Sequence, residues 1–307
     1  MSNPFVRFED GKIALGGKDL LVQSAALSMA PSLQPNRVYG DFDYGLVGAK
    51  TEKASRTFSP TAGLKGTLKI KFVITADFFA QNSTINSIDR LFDIKSGMSE
   101  APIHGNIVGR YMFDHMYLKS LSFSISPLSV INADAEYDIF GTITRNAPYK
   151  FNKIGIDPAH GFKSFGEVKA SATSADSYTG SQFEVTNLTY NILVGRKMHN
   201  HIRASEHDSV NTSAHGVLPA RVSVENIEAN MSITSNAIIH NLNPMGDAQP
   251  GTTPDGLADS SISAYLYSMK GNQIAKFSCS GKIIDQSLSI SEGKYSEGKI
   301  SVKQIIK

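Results

Sequence analysis

Residues 118–144, LKSLSFSISPLSVINADAEYDIFGTIT, decide the fold class. Leu121, Phe123 and Ile125 alternate with Ser122, Ser124 and Ser126. Ala133, Ala135, Tyr137 and Ile139 then alternate with Asp134, Glu136 and Asp138. A period of two belongs to strands with one face in a core and the other in water. The stretch therefore predicts two amphipathic strands, one bearing a row of hydroxyls and the other a row of carboxylates. It carries much architecture and no evident chemistry.

The same rhythm recurs on both sides. In 67–77 (TLKIKFVITAD), Leu68, Ile70, Phe72 and Ile74 form one face, and Lys69, Lys71, Val73 and Thr75 the other. In 221–234 (RVSVENIEANMSIT), Val222 and Val224 share a face that Ile227, Ala229, Met231 and Ile233 resume out of phase. A β-bulge between 224 and 227 accounts for that shift. Near the C-terminus, KISVKQIIK alternates Ile300 and Val302 with Lys299, Ser301 and Lys303. Helical spacing is confined to two segments: Ile88, Leu91 and Phe92 within 83–96, and Ile262, Tyr265, Leu266 and Met269 within 259–271. Asp259 or Ser260 as N-cap and Gly271 beyond the end frame the second segment.

The order of elements repeats. VQSAALS from Val22 corresponds to VTNLTYN from Val185, and Ile74 of FVITAD to Ile233 of MSITSN. SIDRLFDIKSG from Ser87 corresponds to SISAYLYSMKG from Ser261, and Leu128 of PLSVINADAEYDIFG to Leu288 of QSLSISEGKYSEGK. Four correspondences in one order predict an internal duplication. The small, polar run KASATSADSYTGS follows a likewise non-periodic stretch and places the boundary near residue 165. The expected fold is mainly β, with two related β-sandwich or β-barrel modules, 1–165 and 166–307, each with one short α-helix. Stretches 40–63, 145–180, 198–217 and 238–258 lack periodicity and read as loops or linkers.

Composition narrows the function classes. A chain of 307 residues has room for two cores, and 41% apolar with 19% charged residues indicates folded rather than disordered chain. With 30 basic and 28 acidic residues, a net charge of +2 and no basic run, the sequence argues against a nucleic acid held by electrostatics. One Cys excludes a disulfide framework. MSNPFVRFEDGK lacks the apolar core of a secretory signal, and no window reaches the apolar length of a membrane helix. Synthesis in a cytoplasm and no membrane partner are expected.

A search for chemistry yields little. The segment 197–216, KMHNHIRASEHDSVNTSAHG, holds His199, His201, His207 and His215 with Glu206 and Asp208. On a strand His199 and His201 would point the same way, as two zinc ligands must. No His-Glu-x-x-His spacing accompanies them, and histidines in polar loops commonly coat a surface. They are the metal candidates of this sequence, but no metal or other cofactor is expected. Gly-x-Ser-x-Gly is missing, and Cys279 lies in a strand pattern with no His beside it, which reads as a structural thiol. GDAQPGTT has the glycine spacing of a phosphate loop without its Lys. Asp134, Glu136 and Asp138 are most simply the wet face of a strand. The sequence is read as non-enzymatic.

Taken in order, GTLKIKFVITADFF, SIDRLFDI, YLKSLSFSISPLSVINADAEYDIFG and FSCSGKIIDQSLSISEGKYSEGKISVKQII resemble a known module. It is the tail-tube module of contractile and long-tailed bacteriophages, shared by baseplate hubs and type VI secretion tubes. The resemblance implies a structural virion protein. Six modules close an inner β-barrel around a channel, as hexamers of single modules or as trimers of double ones. A duplicated chain fits the trimer with pseudo-sixfold symmetry, the hexamer being the other arrangement. Implied partners are further copies, other tail proteins, and DNA as non-specific cargo. Ser122, Ser124, Ser126, Asp134, Glu136, Asp138, Lys69 and Lys71 become candidate subunit-facing or channel-facing residues. The family's lumen is often acidic, whereas Lys69, Lys71, Lys276 and Lys282 lie on polar strand faces here, so either face could line the channel. Two alternatives stand beside this reading. One is a capsid or neck decoration protein of two β-sandwiches. The other is a β-sandwich binding module or carbohydrate enzyme, against which the absence of Trp counts.

Overall fold

A computed structural model describes residues 13–15, 18–30, 33–35, 58–60, 65–75, 103–107, 111–139, 143–145, 159–160, 165–169, 177–178, 185–199, 221–236, 259–268, 270–294 and 296–305. Among the described residues there are strands and turns and no helix. The strands are β1 (Ile13–Leu15), β2 (Lys18–Ala30), β3 (Leu33–Pro35), β4 (Phe58–Pro60), β5 (Lys65–Val73), β6 (Ile103–Ile107), β7 (Tyr111–Ile125), β8 (Asn132–Ile139) and β9 (Ile143–Arg145). There follow β10 (Ala159–His160), β11 (Phe165–Lys169), β12 (Ser177–Tyr178), β13 (Val185–His199), β14 (Arg221–Ser235), β15 (Asp259–Ser268), β16 (Gln273–Ser289) and β17 (Glu297–Ile305).

All but β3 and β4 belong to one antiparallel sheet, and β7 is its pivot. One edge of β7 pairs with β8 and β9; the other pairs with β6 near its start and with β13 near its end. Through β6, β1, β2, β5 and β8 the pairings return to β7, a closed circuit of six strands. From β13 the sheet continues through β14, β17, β16, β15, β11 and β12.

The alternation read from the sequence is the alternation of burial. Leu68, Ile70, Phe72 and Ile74 are buried, as are Leu121, Phe123, Ile125, Ala133, Ala135, Tyr137 and Ile139. In the second half Leu188, Tyr190, Ile192, Ala229, Met231, Ile233, Ile300 and Val302 do the same, and one apolar cluster spans both halves. Phe123, Tyr190 and Phe277 meet at its centre, with ring centroids 5.0, 5.2 and 6.4 Å apart. The shift foreseen in 221–234 is a bulge. Gly195 faces Asn226 and Arg196 faces Val224, leaving Glu225 as the extra residue.

One expectation is overturned. The segment 259–271, whose apolar residues recur at helical intervals, forms strand β15 and not a helix. Ile262 and Ala264 are buried while Ser261 and Ser263 are half-buried, so a period of two coexists there with one of 3.6. The ladder with β16, from Asp259↔Lys282 to Tyr267↔Gln273, satisfies the backbone and decides between the two. Gly271, at φ 81°, turns the hairpin instead of ending a helix. The other expected helix, 83–96, lies outside the described residues, as does the 238–258 loop. Within 145–180, β10 and β11 pair with β15, and β11 also pairs with β12.

The two halves match in order and in irregularities. The run β2-β5-β8-β7-β6 corresponds to β13-β14-β17-β16-β15. The β7–β8 ladder slips between Leu118 and Ser120, and the β16–β17 ladder slips between Ile283 and Asp285, each 165 residues on. Ser129 donates its N–H to the Ser126 carbonyl, and Lys294 donates to Ser291, again 165 residues on. Positive φ falls on Leu128 (59°) and Gly293 (74°), at the same interval. The β2–β5 ladder slips between Val22 and Ser24 opposite Phe72 and Lys71. The β13–β14 ladder slips between Val185 and Asn187 opposite Ser235 and Thr234, 163 residues on in both strands. The Val22–Val185 correspondence therefore holds in the ladders. The register pairs Leu128 with Gly293 rather than Leu288, and Ile233 with Ile70 rather than Ile74. In this register SFSIS at 122–126 faces SLSIS at 287–291.

Gly293 isolates the backbone term of this turn, because a Cβ there would meet nothing within 4 Å. Gly293→Ala is expected to lower the unfolding free energy by about 1 kcal/mol, the cost of the left-handed conformation. Urea unfolding measures it, and an unchanged midpoint would refute the turn geometry.

Candidate functional site

The face opposite the core runs across both halves and is mostly polar, with Leu193 and Ile284 exposed on it. In β8, Asp134 faces Lys71 of β5 on one side and Ser122 of β7 on the other; Glu136 lies likewise between Lys69 and Ser120. Across the next ladder Ser122 faces Asn191 and Ser124 faces Thr189 of β13. Asn191 faces Asn230 of β14, which faces Lys303 of β17. Two adjoining depressions mark this face, of about 270 and 410 Å³, and Ser120 and Ser122 belong to both. The first gathers Lys69, Lys71, Ser122, Asp134 and Glu136. The second gathers Asn191, Leu193, Glu228, Asn230, Ile284 and Lys303.

Its charges are paired locally. Lys119 Nζ donates to Glu136 Oε1 at 2.7 Å, and Lys69 Nζ lies 3.6 Å from Oε2. The hydrogen bond from Lys119 holds the Glu136 carboxyl below the usual carboxylate range, overcoming the opposite pull of partial burial. The same bond raises Lys119. In the second half Lys303 Nζ lies 2.7 Å from Glu228 Oε2, and Lys299 donates to Asp285 at 2.9 Å. The bond from Lys303 lowers Glu228, helped by Asn226, whose amide donates to it at 3.1 Å. The order of sign is inverted between corresponding strands: lysines on β5 beside acids on β8, but an acid on β14 beside lysines on β17.

Arg196 ties the halves together near this face. Its Nε donates to the Leu118 carbonyl at 3.3 Å, and its guanidinium sits 5.2 Å from the centre of the Tyr117 ring. The bulge at Gly195 and Arg196 aims the side chain back across the ladder.

Of the residues singled out in the sequence, Lys69, Lys71, Ser122, Asp134 and Glu136 share one depression. Ser124 is exposed beside it, and Asp138 is half-buried opposite Thr67 and Tyr117. Ser126 lies in the hairpin turn, where its carbonyl accepts from Ser129. His199 ends β13 opposite Arg221. His201, His207 and His215 lie outside the described residues. No group of three or more metal-binding side chains occurs among the described residues. Cys279 is buried, its thiol 3.4 Å from the Val302 carbonyl, and burial pushes its pKa up to about 11, so it carries no thiolate near neutral pH. Sequence reading missed Asn191, Glu228 and Asn230. The signal for Asn191 was its alternation with buried Tyr190 and Ile192, and that for Glu228 and Asn230 was their alternation with buried Ile227, Ala229 and Met231.

No protein-family model matches the chain, and a search of curated proteins finds no match. Among the described residues no helix is long and apolar enough to cross a membrane.

Glu136 supplies a pH signature. Its carboxyl is lowered in the folded state, so its contribution is full above the ordinary value of 4.5 and is lost as pH falls through the lower folded value. Glu136→Gln is expected to remove less than about 1 kcal/mol at neutral pH. It should also flatten the fall in stability below pH 4.5. Unfolding curves from pH 7 to 3 check this, and parallel acid limbs in both proteins would refute it.

Proposed function

We propose that this chain is a non-catalytic ring subunit of a bacteriophage tail tube or baseplate hub, built from two copies of one β module. The observation that carries the reading is the matched pair of hairpins, β7–β8 and β16–β17, with bulge, turn and positive-φ residue at one constant interval. Independent folding solutions have no reason to place three irregularities at the same spacing. A duplicated module explains it, with the boundary near residue 165 as read from the sequence.

The two halves stand edge to edge in a single sheet, so one chain already supplies two successive arcs of a wall. One side of that wall is packed and apolar; the other is a long polar face of Ser, Thr, Asn and paired charges. Such a face suits the lining of a channel through which DNA passes without being gripped, because few charges are left to hold phosphates. In this reading three chains close a ring of six modules, further tail proteins stack above and below, and the site of action is the virion.

Negative-stain microscopy of the purified protein is expected to show rings with a central hole. Sedimentation should give the mass of three copies, with six as the other closed arrangement. Monodisperse monomers at high protein concentration would overturn the proposal.

A further inference from the structure

The joint between the two halves can be projected onto the stretches of β2 and β16 that have no described partner on one side. Inside the chain, β7 offers its free edge to β13, in the register Leu188↔Ile125 through Leu193↔Ser120. The edge of β16 corresponding to that part of β7 has no partner among the described residues. β15 covers β16 only as far as Lys282, and beyond it no described strand pairs on that side. The edge of β2 corresponding to that part of β13 likewise has no partner among the described residues. β1 pairs with β2 only at residues 18–20, and no described strand pairs beyond Leu20 on that side.

The side chains at these edges show what is missing. Ile125 is fully buried in the internal joint, whereas its counterpart Ile290 is 75% exposed. Tyr190 is 2% exposed, whereas its counterpart Leu27 is 37% exposed although it pairs with buried Leu68 on the core side. Leu188 is buried and its counterpart Ala25 is exposed. Apolar residues on the core-facing side are thus uncovered at the two stretches where a neighbouring module is lacking, and covered where one is present.

We propose that residues 25–30 of β2 in one copy pair antiparallel with residues 285–290, the end of β16 and Ile290 just past it, in a second copy, from Ala25↔Ile290 to Ala30↔Asp285. Carrying the internal pairs forward by the 163- and 165-residue intervals of the ladders gives this register. The partner is a second copy of this chain because the internal joint is a completed example of the same contact. Two different edges meet, so the contact is head-to-tail, and repetition leads to a closed ring or an open filament. Unpaired strand edges favour pairing with another chain. The inference rests on the reading of the chain as a ring subunit and adds the residues that form the joint.

Thiol pairing tests it. Ser28 and Ser287, the counterparts of Asn191 and Ser122, are exposed and face each other in the proposed joint. Cys279 is buried and stays in place. The full chain carrying Ser28→Cys and Ser287→Cys is treated with a short bis-alkylating reagent, dibromobimane, under conditions in which the unmodified chain is imaged for rings. Covalent oligomers up to the ring size are expected. A mixture of the two single variants should stop at dimers, and each single variant alone should give none. Rings in the micrographs with no cross-linking of the double variant would overturn the joint and leave the ring reading standing. Dimers from a single variant alone would overturn the head-to-tail contact. Absence of both rings and cross-links would overturn joint and ring reading together.

Discussion

The structure turns on six paired residues, 188–193 of β13 against 120–125 of β7. That ladder is the seam across which the second half joins the first, and everything polar or apolar on either side inherits its register. A slip of β13 by one residue would carry Tyr190 to the wet face and bring Asn191 into the core beside Phe123. Backbone hydrogen bonds at about 1 kcal/mol each do not discriminate between such registers. The triangle of Phe123, Tyr190 and Phe277 does, because it draws β7, β13 and β16 into one packed contact. Arg196 reinforces the same choice by reaching the Leu118 carbonyl.

The strands of this chain were legible because each carries its own evidence of a wet and a dry side. Leu68 to Ile74, Leu121 to Ile125 and Ala133 to Ile139 are each readable without knowing their neighbours, and so is the bulge at Glu225, which breaks a local phase. The misread segment, 259–271, is one where two periods share the same residues. Ile262 with Leu266 satisfies a helix, and Ile262 with Ala264 satisfies a strand. Only the presence of β16 alongside settles that conflict, and a non-local partner is what a sequence window does not contain. The same limit hid the polar face. Serines 120 and 122 could be read as solvated, but their company with Asn191, Asn230 and Lys303 depends on which strand lies beside which.

The backbone irregularities of the two halves match in a register different from the one read in the sequence. Similar motifs, such as INADAEYDIFG and SISEGKYSEGK, align by composition at several offsets, since alternating sequences match themselves every second residue. Backbone irregularities do not have that freedom. A bulge and a left-handed turn residue each occupy one position, so they fix Leu128 against Gly293. Leu128 and Gly293 share a conformation but no chemistry, and a comparison of side chains alone passes over the pair.

The two halves match in their backbone irregularities and differ in the placement of their charges. Lys71 beside Asp134 in the first half corresponds to Thr234 beside Lys299 in the second, and Glu136 corresponds to Ser301. Each half still neutralises its own charges, through Lys119 with Glu136 and through Lys303 with Glu228. The polar-side columns that meet at the internal seam are Ser120, Ser122 and Ser124 with Thr189, Asn191 and Leu193, and those at the proposed joint are Ala26, Ser28 and Ala30 with Asp285, Ser287 and Ser289, Asp285 being the one charge and paired with Lys299. Neutral, mostly small side chains at a seam carry little desolvation cost when two edges close, whereas a charged column would. In the proposed ring, selection is therefore left to the apolar side, where Leu27 and Ile290 wait uncovered.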